Sequence, residues 1–306
     1  MILSPLNYVG NKARILKSLM PLFPQDIAIF VDIFCGSGIV GLNAKSKRLI
    51  LNDKESRVID LLRYFQGNSL DTILGEVDSL ITQYNLTDSK SKSKGFYKIH
   101  KNEGLSRHNK EGFLALRNSY NVNPSEAKFF VLILFGFNHF VRFNAQGAYN
   151  VPVGKSDFSQ FQHKKSVAFI KALQEKNITL SNVDFRDSAL YKEGDFFYFD
   201  PPYLITQAPY NASWSESDEK DLYAILDFLD SGNKRFALSN VLESNGKSND
   251  LLKQWSKKYH TTYIKRDYTN ANYHRKNLGT TKEVLITNCP TINPAINHFA
   301  QGNNNA

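Results

Sequence analysis

Apolar positions along this chain change their spacing twice, and the two changes outline its organisation. Ile27 to Phe34 is apolar except at Asp32 and predicts a strand, and Arg48 to Leu51 predicts a second. From Lys54 to about Asn177 the alternation of strand and helix stops. Val58, Leu61, Leu62 and Phe65 mark one amphipathic helix there, and Leu70, Ile73, Leu74, Val77, Leu80 and Ile81 mark another. Phe129 to Phe140 is almost wholly apolar and predicts a buried helix. Val167, Ile170, Ala172 and Leu173 predict a helix that leads back to strand-forming sequence, first Ile178, Leu180 and Val183, then the aromatic run Phe196 to Phe199. Ser215 and Asp218 resemble a capping box before the stripe Leu222, Ile225, Leu226 and Leu229, and Gly232 follows its end. Strand Arg235 to Ser239, helix Leu251 to Tyr259, and strands Thr261 to Tyr268 and Val284 to Asn288 complete the pattern. The expectation is an α/β domain built from 1–53 and 178–290, a helical insertion over 54–177, and a disordered Asn-rich tail over 291–306.

Chemistry gathers where the expected strands end. After the first strand, Gly36, Ser37, Gly38, Ile39, Val40 and Gly41 form G-x-G-x-x-G between a strand and a helix, the context in which such a match carries meaning. The second strand ends in Asn52 and Asp53, and an acid there can take both ribose hydroxyls. A nicotinamide dinucleotide and S-adenosylmethionine (SAM) both use this layout. The dinucleotide pattern places its acid about twenty residues beyond the fingerprint. Asp53 comes sooner and Asp32 lies inside the strand, so the residues favour SAM. Asn7 to Lys12 can hold the ring of Tyr8 and the cation of Lys12 over a small ligand, or be a plain N-terminal capping turn. Asp187, in the turn after Val183, can face an adenine or be a structural acid.

The aromatic strand ends in Asp200, Pro201, Pro202 and Tyr203. In an open α/β sheet, ligands bind at the carboxyl edge of the strands. An exocyclic amine on a nucleobase is a poor nucleophile, because its lone pair is conjugated with the ring. A carboxylate and a backbone carbonyl, each accepting one N–H, draw that nitrogen toward tetrahedral geometry. The prolines fix φ and bring no N–H of their own, and Tyr203 can stack on a base swung out of the duplex. An ordinary Pro-Pro turn with a surface tyrosine explains the four residues about as well.

Composition narrows the partners. Among 306 residues the net charge is +9, which favours a polyanion. The basic run between Lys98 and Arg117 and the segment Phe137, Asn138, His139, Phe140, Val141, Arg142, Phe143, Asn144 carry suitable groups. Arg pairs with guanine, Asn with adenine, and an aromatic ring can wedge into a base step. Cys35 and Cys289 cannot form a disulfide framework, and no Cys/His group has zinc spacing. No stretch is apolar and long enough to span a bilayer, and Met1 to Gly10 does not read as a signal peptide, so a cytoplasmic location is expected.

In combination and order these stretches resemble the DNA adenine methylase family of N6-adenine methyltransferases, most closely its phage branch, over roughly residues 5–288. The glycine-lysine opening, D-x-F-x-G-x-G, helical insertion, Arg142-Phe143-Asn144 with Asn150 to Lys155, and D-P-P-Y carry the likeness. The resemblance implies a Rossmann-like SAM-dependent methyltransferase fold with a helical DNA-recognition insertion, SAM as methyl donor, no metal, double-stranded DNA as partner, and adenine in GATC as target. Residue by residue it implies SAM contacts at Tyr8, Lys12, Asp53 and Asp200, with Phe34 and Gly36 in the motif around the methionine portion; Asp32, the acid of D-x-F-x-G-x-G, is counted with the cofactor residues. Asp187 is expected at the adenine end. Asp200, Pro201, Pro202 and Tyr203 match the catalytic tetrad. Arg142 matches the guanine-reading arginine, Phe137 the ring that enters the duplex, and Asn138 an asparagine near the vacated partner. Asn144 and Arg117 complete the expected DNA contacts. Attack by cytosine N4, for which Ser more often replaces the tetrad's acid, a nicotinamide-dependent dehydrogenase, and a DNA-binding module with an inactive methylase fold, against which Lys12, Asp53 and Asp200 speak, are the alternatives.

Overall fold

The computed structural model describes residues 1–7, 10, 12–92, 95–99, 101–206, 214–264 and 281–289. Tyr8, the tail over 291–306 and the end of the strand expected to reach Tyr268 lie outside them. In chain order the elements are α1 (Leu16–Leu19), β1 (Ile27–Asp32), α2 (Ile39–Asn43), β2 (Ser46–Asn52), α3 (Ser56–Gly67), α4 (Leu70–Gln83), α5 (Ser106–Val122), α6 (Glu126–Phe135), α7 (Gln160–Glu175), β3 (Ile178–Ser181), β4 (Phe196–Phe199), α8 (Glu216–Ser231), β5 (Arg235–Ser244), β6 (Lys247–Ser248), α9 (Asp250–Trp255), β7 (His260–Tyr263) and β8 (Lys282–Thr287). They fall into two units, Met1–Asn11 with Glu55–Lys176 and Lys12–Lys54 with Asn177–Ala306.

The second unit holds one sheet in the order β3-β2-β1-β4-β5-β8-β7, with the short β6 paired to β5. β1 to β5 run parallel, whereas β8 is antiparallel to both β5 and β7. This is a Rossmann-like α/β fold. The reversed last strand separates it from the six parallel strands that bind dinucleotides. β4 lies inside the sheet with both faces covered, which explains its continuous aromatic run. Phe196 and Tyr198 meet Phe23 and Phe30 on one face. Phe197 and Phe199 turn to the other, where Leu222, Leu226 and Leu229 of α8 share their cluster. The capping box before α8 is formed: Ser215 Oγ accepts from the Asp218 N–H, and the Asp218 carboxylate accepts from the Ser215 N–H.

In the turn after β1, Gly36 and Gly38 both have positive φ. Gly41 serves packing instead. A Cβ there would lie 2.7 Å from Leu51 Cδ2 and 2.8 Å from Leu49 Cδ1. Gly41→Ala is therefore expected to cost about 1–3 kcal/mol through overpacking of α2 on β2. Urea unfolding reads this directly, and an unchanged midpoint would contradict the packing account.

The first unit is helical. α6 is buried nearly all round, with α3, α4 and α5 against it and α7 on α3 and α4. Phe65 meets Phe130 edge-on at 4.8 Å between ring centres. Ser69, Ser125 and Ser159 cap α4, α6 and α7 by accepting the backbone N–H three residues on, that of Thr72, Lys128 and Gln162 respectively. Two expected helices end early. The run Phe129 to Phe140 is helical only to Phe135. Gly136 and Gly154 then approach so closely that a Cβ on Gly154 would lie 2.6 Å from the Gly136 carbonyl oxygen, and Gly136 bridges to Val153. Apolar character continued past that point, but helical backbone did not. Likewise α9 stops at Trp255 and a 3-10 turn, Ser256–Lys258, takes over. β5 runs on to Ser244, beyond the Ser239 expected, because β8 pairs along that length. No helix among the described residues is long and apolar enough to cross a membrane.

Candidate active site

The carboxyl ends of β1 and β4 lie side by side, with Asp32 paired to Tyr198 in register. The strand order reverses direction between them, which is where ligands bind in sheets of this kind. Asp32 closes β1 at 1% exposure. Its Oδ2 accepts from the Gly41 N–H at 3.2 Å, and its Oδ1 is buried without a hydrogen-bond partner among the described residues. Burial holds its carboxyl well above the ordinary range, opposed by the Gly41 hydrogen bond, with the charges of Asp200 and Asp53 adding to the rise. An orphaned buried acceptor of this kind calls for a ligand donor or cation.

Around it the turn is tightly tied. Asp53 Oδ2 accepts from the Gly36 N–H at 2.7 Å. The Cys35 N–H donates to the Asn52 carbonyl at 2.8 Å, and the Gly38 N–H to that of Cys35 at 2.7 Å. Asn52, which the sequence marks only as a strand end, is buried and joins three strand ends. Its Nδ2 donates to the carbonyls of Ile33 and Val183, and its Oδ1 accepts from the Val183 N–H. Phe34 rests against Phe185 and meets Trp214 edge-on. Asp187 is exposed and caps the turn Ser188–Tyr191 by accepting from the Ala189 N–H at 2.9 Å.

The tetrad follows β4 and is knitted to the start of the same unit. Lys12, at 3% exposure, donates to Asp200 Oδ1 at 2.7 Å and to the Tyr203 hydroxyl at 2.7 Å. That hydroxyl donates to Asp200 Oδ1 at 3.0 Å, with Glu283 Oε1 as a second acceptor at 3.3 Å. Glu283 is 2% exposed, and its carboxylate lies 3.8 Å from Lys12 Nζ. Desolvation raises the Asp200 carboxyl above its usual range and Glu283 adds to the rise, while Lys12 and the Tyr203 hydroxyl oppose it. A carboxylate oxygen has about two acceptor positions. Oδ1 of Asp200 is thus filled by Lys12 and Tyr203. Among the described residues nothing donates to Oδ2 or to the Pro201 carbonyl. Among the described residues, two neighbouring acceptors thus stand open at the strand's edge. The tetrad made Asp200 and Pro201 legible, but Glu283 was missed, and its only sequence signal is a single acid at the head of an apolar strand.

In the helical unit, the expected DNA-contact residues lie on the segment between Gly136 and Gly154 or against it. Asn138 and His139 both have positive φ, which turns the chain sharply beside Phe137, itself 40% exposed. Asn7 pins this turn, its N–H donating to the His139 carbonyl and its Nδ2 to that of Asn138. Arg142 is exposed and oriented by Asn150, with Nε donating to Oδ1 at 2.8 Å and Nη2 to the carbonyl at 2.9 Å. Asn144 Oδ1 accepts from the Gln146 and Ala148 N–H groups and so shapes the loop. Arg117 is half-buried and donates to the Val151 carbonyl at 3.2 Å. Sequence reading missed Arg57, whose guanidinium lies 3.4 Å from the Phe143 ring centre and which donates to the Gly147 carbonyl.

A Rossmann-like sheet with a reversed last strand and an acid-Pro-Pro-Tyr edge beside a glycine turn defines the class as methyltransferases of this fold. The chain belongs to the D12 class N6 adenine-specific DNA methyltransferase family, which residues 8–271 match. It is 36% identical over 302 residues to the modification methylase StsI of Streptococcus sanguinis and 38% identical over 297 residues to the type II methyltransferase M.FokI of Planomicrobium okeanokoites. These alignments take in 95% and 94% of this chain but 43% of each relative, so the chain spans under half of their length. A DNA N-6-adenine-methyltransferase of Escherichia phage P1 is 26% identical over 205 residues, covering 65% of this chain and 24% of that protein.

Proposed function

We propose that this chain transfers a methyl group from SAM to the N6 amine of an adenine in double-stranded DNA in the cytoplasm. In this reading, 1–53 and 178–290 carry the chemistry and 54–177 grips DNA. The observation that carries it is the pair of acceptors, Asp200 Oδ2 and the Pro201 carbonyl, to which nothing donates among the described residues, beside a buried acid whose Oδ1 has no partner among them. The donor set fits SAM. Asp32, Phe34, Gly36 and Asp53 would hold it with Lys12, Tyr8 and Asp187, and when bound it supplies an electrophilic methyl on a sulfonium. The chain's own part is to orient the amine. Asp200 Oδ2 and the Pro201 carbonyl each accept one N–H, which turns the nitrogen lone pair out of conjugation. Pro202 keeps the backbone fixed, and the Tyr203 ring is assigned to the base. No covalent enzyme intermediate is needed: S-adenosylhomocysteine would be the leaving group, and the proton that the methylated nitrogen loses would pass to Asp200 Oδ2 and on to solvent.

For the target we carry GATC, which rests on the resemblance alone. Arg142 would read its guanine, with Asn144, Phe137 and Asn138 at the duplex and Arg117 acting from beneath the loop. Arg142→Ala is then expected to cost about 1–3 kcal/mol and to relax specificity at one base position. Mapping N6-methyladenine on a plasmid treated with wild type and variant tests both points. Methylation confined to another sequence would replace GATC, and an unchanged site preference in the variant would remove Arg142 from readout. Calorimetric titration with SAM and with a nicotinamide dinucleotide tests the donor.

A further inference from the structure

We propose that Glu283 is a positioning residue of this site: it anchors the Lys12 ammonium and the Tyr203 hydroxyl so that both stay on Asp200 Oδ1 and leave Oδ2 for the target amine. The inference rests on the function proposed above and adds a residue to it.

Lys12 and Tyr203 bring several polar hydrogens to one carboxylate. With Asp200 as the acceptor of both, the two donors can spread over its two oxygens and close the one the amine needs. A second carboxylate within reach of both donors offers them another acceptor and limits that spread. Glu283 is placed for that, 3.3 Å from the Tyr203 hydroxyl and 3.8 Å from Lys12 Nζ. Its backbone is fixed on both sides, because β8 lies between β5 and β7. Glu283 pairs with Val241, and its carbonyl accepts from the Ile264 N–H at 2.9 Å. A carboxylate buried to 2% exposure is costly unless it is hydrogen-bonded and paired, and Tyr203 and Lys12, which it meets here, belong to the site.

The arrangement has an electrostatic consequence that packing alone would not produce. Among the described residues, the charged and titratable groups around Asp200 include Lys12, Glu283, Tyr203, Tyr198 and Asp32. Of the two nearest charges, Lys12 favours the ionised Asp200 and Glu283 opposes it. Glu283→Gln keeps an acceptor for the Tyr203 hydroxyl but removes the opposing charge, so Asp200 should ionise at lower pH.

The test uses the full chain with Glu283→Ala and Glu283→Gln, each checked by thermal melting. Glu283→Ala should lower kcat by about 10- to 100-fold with little change in KM for DNA, the loss typical of a residue that orients a reacting group. Glu283→Gln should recover most of that loss and move the acid limb of kcat to lower pH by about half a unit or more. Independently of activity, carboxyl carbon NMR of Asp200, assigned with Asp200→Asn, should show its midpoint falling in Glu283→Gln. An unmoved midpoint, or a Glu283→Ala kcat within about twofold of wild type, overturns the proposal. If the wild type methylates nothing, the proposed function fails while the NMR titration still decides whether Glu283 is coupled to Asp200. Should Glu283→Ala not fold, the near-isosteric Glu283→Gln carries the test.

Discussion

Asp200→Ala should lower kcat by about 100- to 1,000-fold, or roughly 2.7–4 kcal/mol of barrier, the cost of removing one preorganised hydrogen-bonding group from a water-excluded site. Its effect belongs in kcat rather than in DNA affinity, because in the proposed function Oδ2 acts on the amine as its lone pair is drawn out of conjugation. Stability should behave oppositely. Burial raises the Asp200 carboxyl, so its ionised form costs folding energy near neutral pH. The variant also leaves Lys12 with Glu283 as a counter-charge. It should therefore melt at or above the wild-type temperature. Single-turnover methylation with a matched melting curve separates the two effects, and a variant that turned over normally would remove Asp200 from the chemistry.

Lys12→Met should have the largest effect on stability. Lys12 is the cation placed between Asp200 and Glu283, and breaking a buried pair from one side costs about 3–5 kcal/mol because the remaining charge is uncompensated. The loss should depend on pH with a definite sign. Without Lys12 the folded Asp200 carboxyl rises further above its unfolded value of about 4. Its stabilising contribution is then complete below that unfolded value and lost as pH rises through the folded one. The gap between wild type and variant should narrow on acidification and widen toward neutral pH. Urea denaturation at a series of pH values reads this, and a pH-independent gap would show that the ion pair is not what Lys12 contributes.

The parts of this molecule legible in its sequence are those decided by near neighbours. The capping box at Ser215 needs Asp218 three residues on, and both are in place. The strand and glycine turn from Ile27 to Gly41 are set by local apolar spacing and by two positive φ angles. The class of fold followed from such elements in order. What the sequence hid depends on residues far apart along the chain. The end of α6 at Phe135 is fixed by Gly154, whose backbone needs the space beside Gly136. Glu283 lies eighty residues beyond Tyr203 in numbering and is brought to its hydroxyl only because β8 turns back antiparallel to β5. Asn52 shows the same limit, since its amide binds Val183 only once β3 lies beside β2. The motifs mark Asp200 and Pro201, the residues proposed to meet the substrate, whereas Glu283 and Asn52 are brought to their partners by topology.

The central claim is that the open oxygens of Asp200 and Pro201 make an adenine amine alkylatable. The most direct measurement incubates duplex DNA with the purified chain and SAM labelled in its methyl group, digests the DNA, and identifies the labelled nucleoside by mass spectrometry. Label is expected in N6-methyldeoxyadenosine with wild type and is expected to be nearly absent with Asp200→Ala. Label in N4- or 5-methyldeoxycytidine, or none with a folded wild-type protein, would contradict it.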